Sequence, residues 1–209
     1  MTHVVYVHGL WMPGDESFML RHRLAHDFGL TLHAFRYSAA FSTMNEIAAS
    51  LEAFVRELRA PAVHFVGHSL GGLVIHRFLE RCPGQPAGGA VFLGTPCVAS
   101  RAAQRAGRFA PIAHFMGQSV AEELLQTQER RWQQSRPLGI IAGSHPLGLG
   151  QLLADFEEEN DGTVAVSETR MPGLTDHIVL PVSHLGMLLS TRVAQETGAF
   201  LTQGRFSLR

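Results

Sequence analysis

The chain has 209 residues, 45% of them hydrophobic, with 17 basic against 18 acidic side chains and a net charge of −1. Those values suit one globular domain with a sizeable core, and no basic stretch stands out to engage nucleic acid or an anionic membrane. Every basic residue is an arginine, which removes Schiff-base and phosphate-loop lysine chemistry from consideration.

The first strand is expected at once, at His3 to Val7, as a short apolar run of the kind a central parallel strand shows. No charged and apolar leader precedes it and no run reaches membrane-spanning length, so a cytoplasmic location is expected. His8-Gly9-Leu10-Trp11 ends the strand. Ser17 to Phe28 places Phe18, Leu20, Leu24 and Phe28 at helical spacing. His22 and His26 on that helix lack an acidic third ligand, so they read as a solvated face rather than a metal site. A second strand is expected over Leu30 to Tyr37. An amphipathic helix follows over Met44 to Leu58, with Ile47, Leu51, Phe54, Val55 and Leu58 on one face.

Ala62 to Val66 is the next apolar run. It leads into Gly67-His68-Ser69-Leu70-Gly71, a further Gly72, and then apolar-rich sequence of helical length. Strand, tight turn and helix with a serine at the apex is the context a nucleophile elbow demands. There the serine is held in a strained backbone conformation above the sheet, and strand and helix pass too close for a Cβ at the flanking glycines. The amides of the helix N-terminus favour negative charge developing beside Ser69. A glycine-rich turn with an incidental serine is the plainer alternative.

Cys82-Pro83-Gly84-Gln85-Pro86 breaks that helix, and Gly89 to Gly94 reads as the fourth strand. Residues 98 to 134 are arginine- and glutamine-rich with scattered apolar positions, and read as one long or two short helices partly outside the sheet layers. Leu138 to Ala142 is the fifth strand. Pro146 to Asn160 is a loop with a helical turn near Leu152 to Glu158, and Asp161-Gly162 is a turn. Ile178 to Val182 is the last strand and Leu185 to Leu201 a terminal helix. Strands alternating with helices imply a parallel sheet covered on both faces, with chemistry at the carboxyl ends of the strands. Cys82 and Cys97 make neither a metal pattern nor a disulfide framework and read as free thiols. No metal or cofactor is expected.

A serine hydroxyl needs a base within hydrogen-bond reach, and the base needs a group that fixes its tautomer. Five histidines follow Ser69: His76, His114, His145, His177 and His184. His76 lies inside the elbow helix and His114 in the insert. His177 precedes a strand, at the wrong end of the sheet. His184 follows the last strand, which is where the base belongs. Among the late acids, Asp155, Glu157, Glu158, Glu159, Asp161 and Asp176, the aspartate of Asn160-Asp161-Gly162-Thr163-Val164 fits best by order and position. Its plainer reading is a turn residue.

With His8-Gly9 after the first strand, Gly67-His68-Ser69-Leu70-Gly71-Gly72, Asp161-Gly162-Thr163-Val164 and Ser183-His184-Leu185, the chain resembles the α/β-hydrolase superfamily. The likeness is to its small bacterial lipase and esterase type. It implies a reduced, mostly parallel sheet of about six strands in a single domain spanning 1–209. It implies Ser69 as nucleophile, His184 as general base and Asp161 as its orienting partner, with an oxyanion hole from the backbone N–H groups of Leu10 and Leu70. The substrate implied is a small acyl ester; a thioesterase, an acyltransferase and a non-catalytic binding module on the same fold are the alternatives. Residues 98–134 are too short for a large cap and imply a small lid or an open cleft. Trp11, Phe115 and Met116 are candidates to line an acyl pocket, against ordinary packing as the plainer reading.

Overall fold

The computed structural model describes residues 2–39, 41–98, 130–147 and 158–208. Most of the expected insert, with Phe115, Met116 and His114, lies outside the described residues, as does most of the helical turn expected near Leu152 to Glu158.

Among the described residues there are six strands and four α-helices. In chain order they are β1 (His3–Val7), α1 (Phe18–Phe28), β2 (Thr31–Phe35), α2 (Met44–Glu57), β3 (Val63–His68), α3 (Leu70–Arg81), β4 (Ala90–Leu93), β5 (Leu138–Gly143), β6 (Asp176–Leu180) and α4 (Thr191–Gln203). The sheet order is β2-β1-β3-β4-β5-β6, and every pairing is parallel. The central strands are buried on both faces, so they read in sequence as continuous apolar runs.

Successive side chains of each strand point to opposite faces, and two apolar layers result. Val5, Val7, Phe65, Phe92 and Ile140 pack with Ile47, Leu51 and Val55 of α2 and with Leu73, Val74 and Phe78 of α3. Val4, Tyr6, Val66, Val91 and Ile141 pack with Leu20 and Leu24 of α1 and with Val193, Ala194 and Phe200 of α4. Helices therefore cover both faces, as the alternating pattern requires. The α2 start is fixed by a capping box. Thr43 Oγ1 accepts from Glu46 N at 3.2 Å, and Glu46 Oε2 accepts from Thr43 N at 2.8 Å.

Most boundaries shift by one or two residues, and two of the differences have a clear physical reason. The last strand runs Asp176–Leu180 rather than 178–182. Pro181 has no N–H to donate, so the ladder ends before it. The terminal helix is in two parts. A 3-10 turn spans Gly186–Leu188, and α4 begins only after Ser190, whose hydroxyl accepts from Val193 N. Among the described residues, no helix is long and apolar enough to cross a membrane. Cys82 and Cys97 are both free thiols.

Candidate active site

The carboxyl ends of the parallel strands meet at one place, and the elbow between β3 and α3 stands at its centre. Ser69 takes φ 54° and ψ −123°, in a region side-chain-bearing residues rarely adopt. Close packing enforces the turn. A Cβ on Gly67 would stand 2.5 Å from Gly72 N, and one on Gly71 would stand 2.1 Å from the Val7 carbonyl oxygen. Neither position admits any other residue while strand and helix hold their places. Backbone bonds complete the support: Ser69 N donates to Leu93 O at 2.8 Å, and Thr95 Oγ1 donates to Ser69 O at 2.9 Å. Ser69 itself is partly exposed.

The loop after β1 passes directly beside the serine, since a Cβ on Gly9 would lie 3.1 Å from Ser69 Cβ. His8 shapes that loop. Its Nδ1 is 2.8 Å from Gly9 O, its Nε2 accepts from Tyr37 N at 3.3 Å, and its ring stacks on Tyr37 at 4.2 Å. Burial pushes the His8 pKa down, so the ring is neutral and Nδ1 carries the donated proton. Leu10 packs against the core and Trp11 is 65% exposed, with φ 58°.

Asp161 and His184 lie on the other side of the elbow. Asp161 has no exposure, and its Oδ2 is 2.7 Å from His184 Nδ1. Its Oδ1 accepts from the backbone N–H of Thr163 at 2.9 Å and of Val164 at 2.7 Å. Its own carbonyl accepts from His184 N at 2.9 Å. Asn160 Oδ1 accepts from Gly162 N at 2.9 Å and tightens the same turn. These three donors fix the carboxylate in orientation. The His184 Nδ1–H then points at Asp161, which leaves Nε2 as the ring's acceptor.

Gly94, at the end of β4, makes room for this pair. A Cβ there would stand 2.9 Å from Asp161 Oδ2 and 3.0 Å from His184 Nδ1, and the residue has φ +56°. Beneath His184 lies His68, the residue before the elbow serine. It is fully buried, its ring centroid is 4.7 Å from that of His184, and its Nε2 donates to the His184 carbonyl at 2.9 Å. Desolvation, with His184 beside it, lowers the His68 pKa to about 3, so it is a neutral ring at any working pH.

The other candidates are elsewhere. His76 lies on α3 beside Trp132, with Nε2 at 3.2 Å from Arg131 O. His177 and Asp176 sit at the amino end of β6, where Asp176 accepts from the Phe206 amide. Glu159 and His145 are exposed, and Asp155 and Glu157 fall outside the described residues. No cluster of three or more metal-ligating side chains occurs among the described residues, and His22 and His26 both face solvent. The sequence reading missed the parts played by His68, Gly94 and Thr95. The one signal for them was position, since each lies at a strand end adjoining a residue already singled out.

Comparisons with known proteins agree with this architecture. The mature form of the lipase BlEst2 from Bacillus licheniformis superposes with a TM-score of 0.76 at 21% identity, covering 97% of this chain and 91% of that one. The carboxylesterase CesB (YbfK) from Bacillus subtilis gives 0.60 at 16% identity, over 97% and 84% of the two chains. The RedJ thioesterase of the prodiginine biosynthetic pathway in Streptomyces coelicolor gives 0.61 at 13%, over 96% and 85%. No curated protein matches the sequence. The family model described as "Alpha/beta hydrolase family" matches residues 4–196. With that match across nearly the whole chain, and a six-stranded parallel sheet carrying a serine elbow, this protein belongs to the alpha/beta hydrolase family.

Proposed function

We propose that this protein is a serine hydrolase that cleaves carboxylic esters through an acyl-enzyme intermediate. One observation carries the reading. A buried Asp161–His184 pair, 2.7 Å apart, occupies the same strand ends as a serine in a strained elbow. The fold alone would not fix a function, but this grouping has a chemical use. The esterase and lipase among the structural neighbours favour the same choice of substrate class.

In this mechanism His184 Nε2 takes the proton from Ser69 Oγ as that oxygen attacks the ester carbonyl. Asp161 holds the imidazole in the required tautomer and stabilises the imidazolium that forms. The tetrahedral oxyanion accepts from the backbone N–H groups of Leu70, at the N-terminus of α3, and of Leu10, on the loop shaped by His8. Collapse of the intermediate breaks the carbon–oxygen bond, and His184 passes its proton to the departing alcohol. Water then attacks the acyl-enzyme with His184 again as base, releasing the carboxylic acid and restoring Ser69. Trp11, 65% exposed on the loop after β1, is the residue proposed to meet the acyl group.

The thioesterase neighbour supports a second reading of the same machinery, in which the leaving group is a thiol. The experiment is fluorophosphonate labelling of wild type, Ser69→Ala and His184→Ala, with p-nitrophenyl esters of rising chain length and an acyl thioester run in parallel. Labelling lost in both variants, with ester turnover exceeding thioester turnover, supports the proposal. Faster thioester turnover moves the assignment to a thioesterase. A folded wild-type protein that neither labels nor turns over any substrate removes the hydrolase reading and leaves a binding module.

A further inference from the structure

The opposite end of the sheet carries a pocket with a different lining. A pocket of about 390 Å³ opens among the amino ends of β3, β4 and β5 and the end of α4. Its polar lining is His64, Gln85, Ser135 and Arg136, and its apolar lining includes Pro137, Phe200 and Leu201. His64 is the second residue of β3, and Ser69 follows its carboxyl end. At about 3.3 Å per residue they stand about 16 Å apart, so this pocket is separate from the serine.

Arg136 is the notable member. Its guanidinium lies over the Phe65 ring at 5.0 Å and donates to Pro86 O at 2.7 Å and Val63 O at 3.3 Å. Those bonds use two of its five N–H donors. No carboxylate pairs with it among the described residues, and none lines the pocket. A partly buried cation without a counter-charge is costly, and an anion is the partner that relieves the cost. Burial lowers the Arg136 pKa to about 10, which still leaves it charged at neutral pH.

His64 adds to the same pattern. Its Nδ1 accepts from the Gly89 N–H at 3.0 Å. Burial and the Arg136 charge lower its pKa, so the ring is neutral and its one proton sits on Nε2. The two groups beside each other in this pocket are thus both donors. The Ser135 hydroxyl is a third, and the apolar wall lies alongside.

We propose that this pocket binds a small amphiphilic anion, whose charged head is held by Arg136 and His64 and whose short apolar body packs on Pro137, Phe200 and Leu201. A head group alone would leave that wall unused, and a long chain would exceed the volume, so a short-chain carboxylate is the fitting class. The site is independent of the hydrolase assignment, because it shares no residue with the serine end.

The test is calorimetric titration of the full chain with hexanoate and, separately, with inorganic phosphate. Wild type, Arg136→Gln and Ser135→Asp are compared. Arg136 also ties Val63 to Pro86, so its variant is first checked for an unchanged thermal transition. Ser135 is exposed, and an aspartate there brings a competing negative charge without touching those ties. The expected result is saturable hexanoate binding that weakens at least about tenfold in either variant, the scale of one lost charge-assisted hydrogen bond. Hexanoate binding that persists unchanged in Ser135→Asp would place the anion elsewhere, at the serine end for instance, and overturn the proposal. Absence of hexanoate binding, or phosphate binding as tight as hexanoate, would overturn the amphiphilic assignment.

Discussion

The two sides of the proposed active site are held in place by different physics. On the Ser69 side, support is steric. Gly67 and Gly71 bring β3, α3 and β1 so close that an added Cβ would fall within 2.5 Å or less of backbone atoms. On the Asp161–His184 side, support is a set of hydrogen bonds. Three donors hold the carboxylate, and the His184 backbone is tied at its N–H by Asp161 and at its carbonyl by His68. Steric support gives way all at once, because backbone atoms cannot yield at 2 Å. Hydrogen-bonded support gives way one bond at a time. Substitutions on the two sides should therefore fail differently, the first through the fold and the second through the chemistry.

Gly71→Ala is the strongest test of the steric side. The new methyl would meet the Val7 carbonyl at 2.1 Å, and relieving it means moving the elbow helix away from β1. The expected outcome is a loss of about 4 kcal/mol or more of stability, the range reserved for severe core disruption. Thermal unfolding followed by circular dichroism reads it. A variant with the wild-type transition and full activity would show that the elbow tolerates displacement, and the contrast between the two sides would collapse.

Asp161→Asn should do the opposite and spare the fold. The amide oxygen can still accept from Thr163 and Val164, so the turn is preserved. Its NH₂, however, meets His184 Nδ1 as a donor and forces the proton of the neutral ring onto Nε2, where the base function is lost. Turnover of the ester substrate is expected to fall about a thousand- to ten-thousandfold, with little change in the unfolding transition. A fall in stability with activity preserved per folded molecule would reduce Asp161 to a turn residue.

This difference also explains how much was legible in the sequence. The elbow could be read because steric demands leave glycines at fixed offsets, and Gly67, Gly71 and Gly72 bracket Ser69 within one short stretch. The parallel strands could be read because burial on both faces makes them continuous apolar runs, as in Val63 to Val66. Asp161 had to be chosen from six acids by chain order, since nothing local separates a turn aspartate from a functional one. Its three accepted hydrogen bonds come partly from a residue 23 positions away. His68 was read only as a letter in the elbow pattern, because its partner, His184, is 116 residues distant. The boundary at Leu180 was missed although Pro181 announces it, since apolar pattern was followed past the residue that ends the ladder.

Gly94→Ala asks whether the hydrogen-bonded side can be moved by a steric insult of its own. The added methyl would press on Asp161 Oδ2 at 2.9 Å and His184 Nδ1 at 3.0 Å, in a residue with φ +56°. Both contacts are side-chain atoms that can shift by a few tenths of an ångström, unlike the carbonyl facing Gly71. The left-handed backbone costs about 1–2 kcal/mol, and displacement of the base is expected to lower kcat up to about a hundredfold. The fold should survive. Complete loss of folded protein would show that this side is as rigid as the elbow.

The smallest effect expected concerns His68 and separates its bond from its charge. His68→Gln keeps an N–H donor near the place of Nε2, so the tie to the His184 carbonyl is retained and turnover should stay within about tenfold of wild type. His68→Phe fills the space but orphans that buried carbonyl, and should lower kcat further. Titration behaviour gives a readout that packing alone would not move. In the native state His68 titrates near 3, against about 6.5 for an unfolded histidine. Between those values the unfolded chain binds a proton that the native chain refuses. Stability from this group is therefore complete above pH 6.5 and is lost as pH falls towards 3, by at most about 1.4 kcal/mol per pH unit. Other histidines contribute to the same window, the half-buried His177 with a pKa lowered to about 4 among them, so the quantity to read is the difference between proteins. The stability of His68→Gln plotted against pH from 4 to 7 should fall less steeply than that of wild type. Parallel curves would mean that His68 is protonated in the folded protein, and the neutral ring beneath His184 would have to be given up.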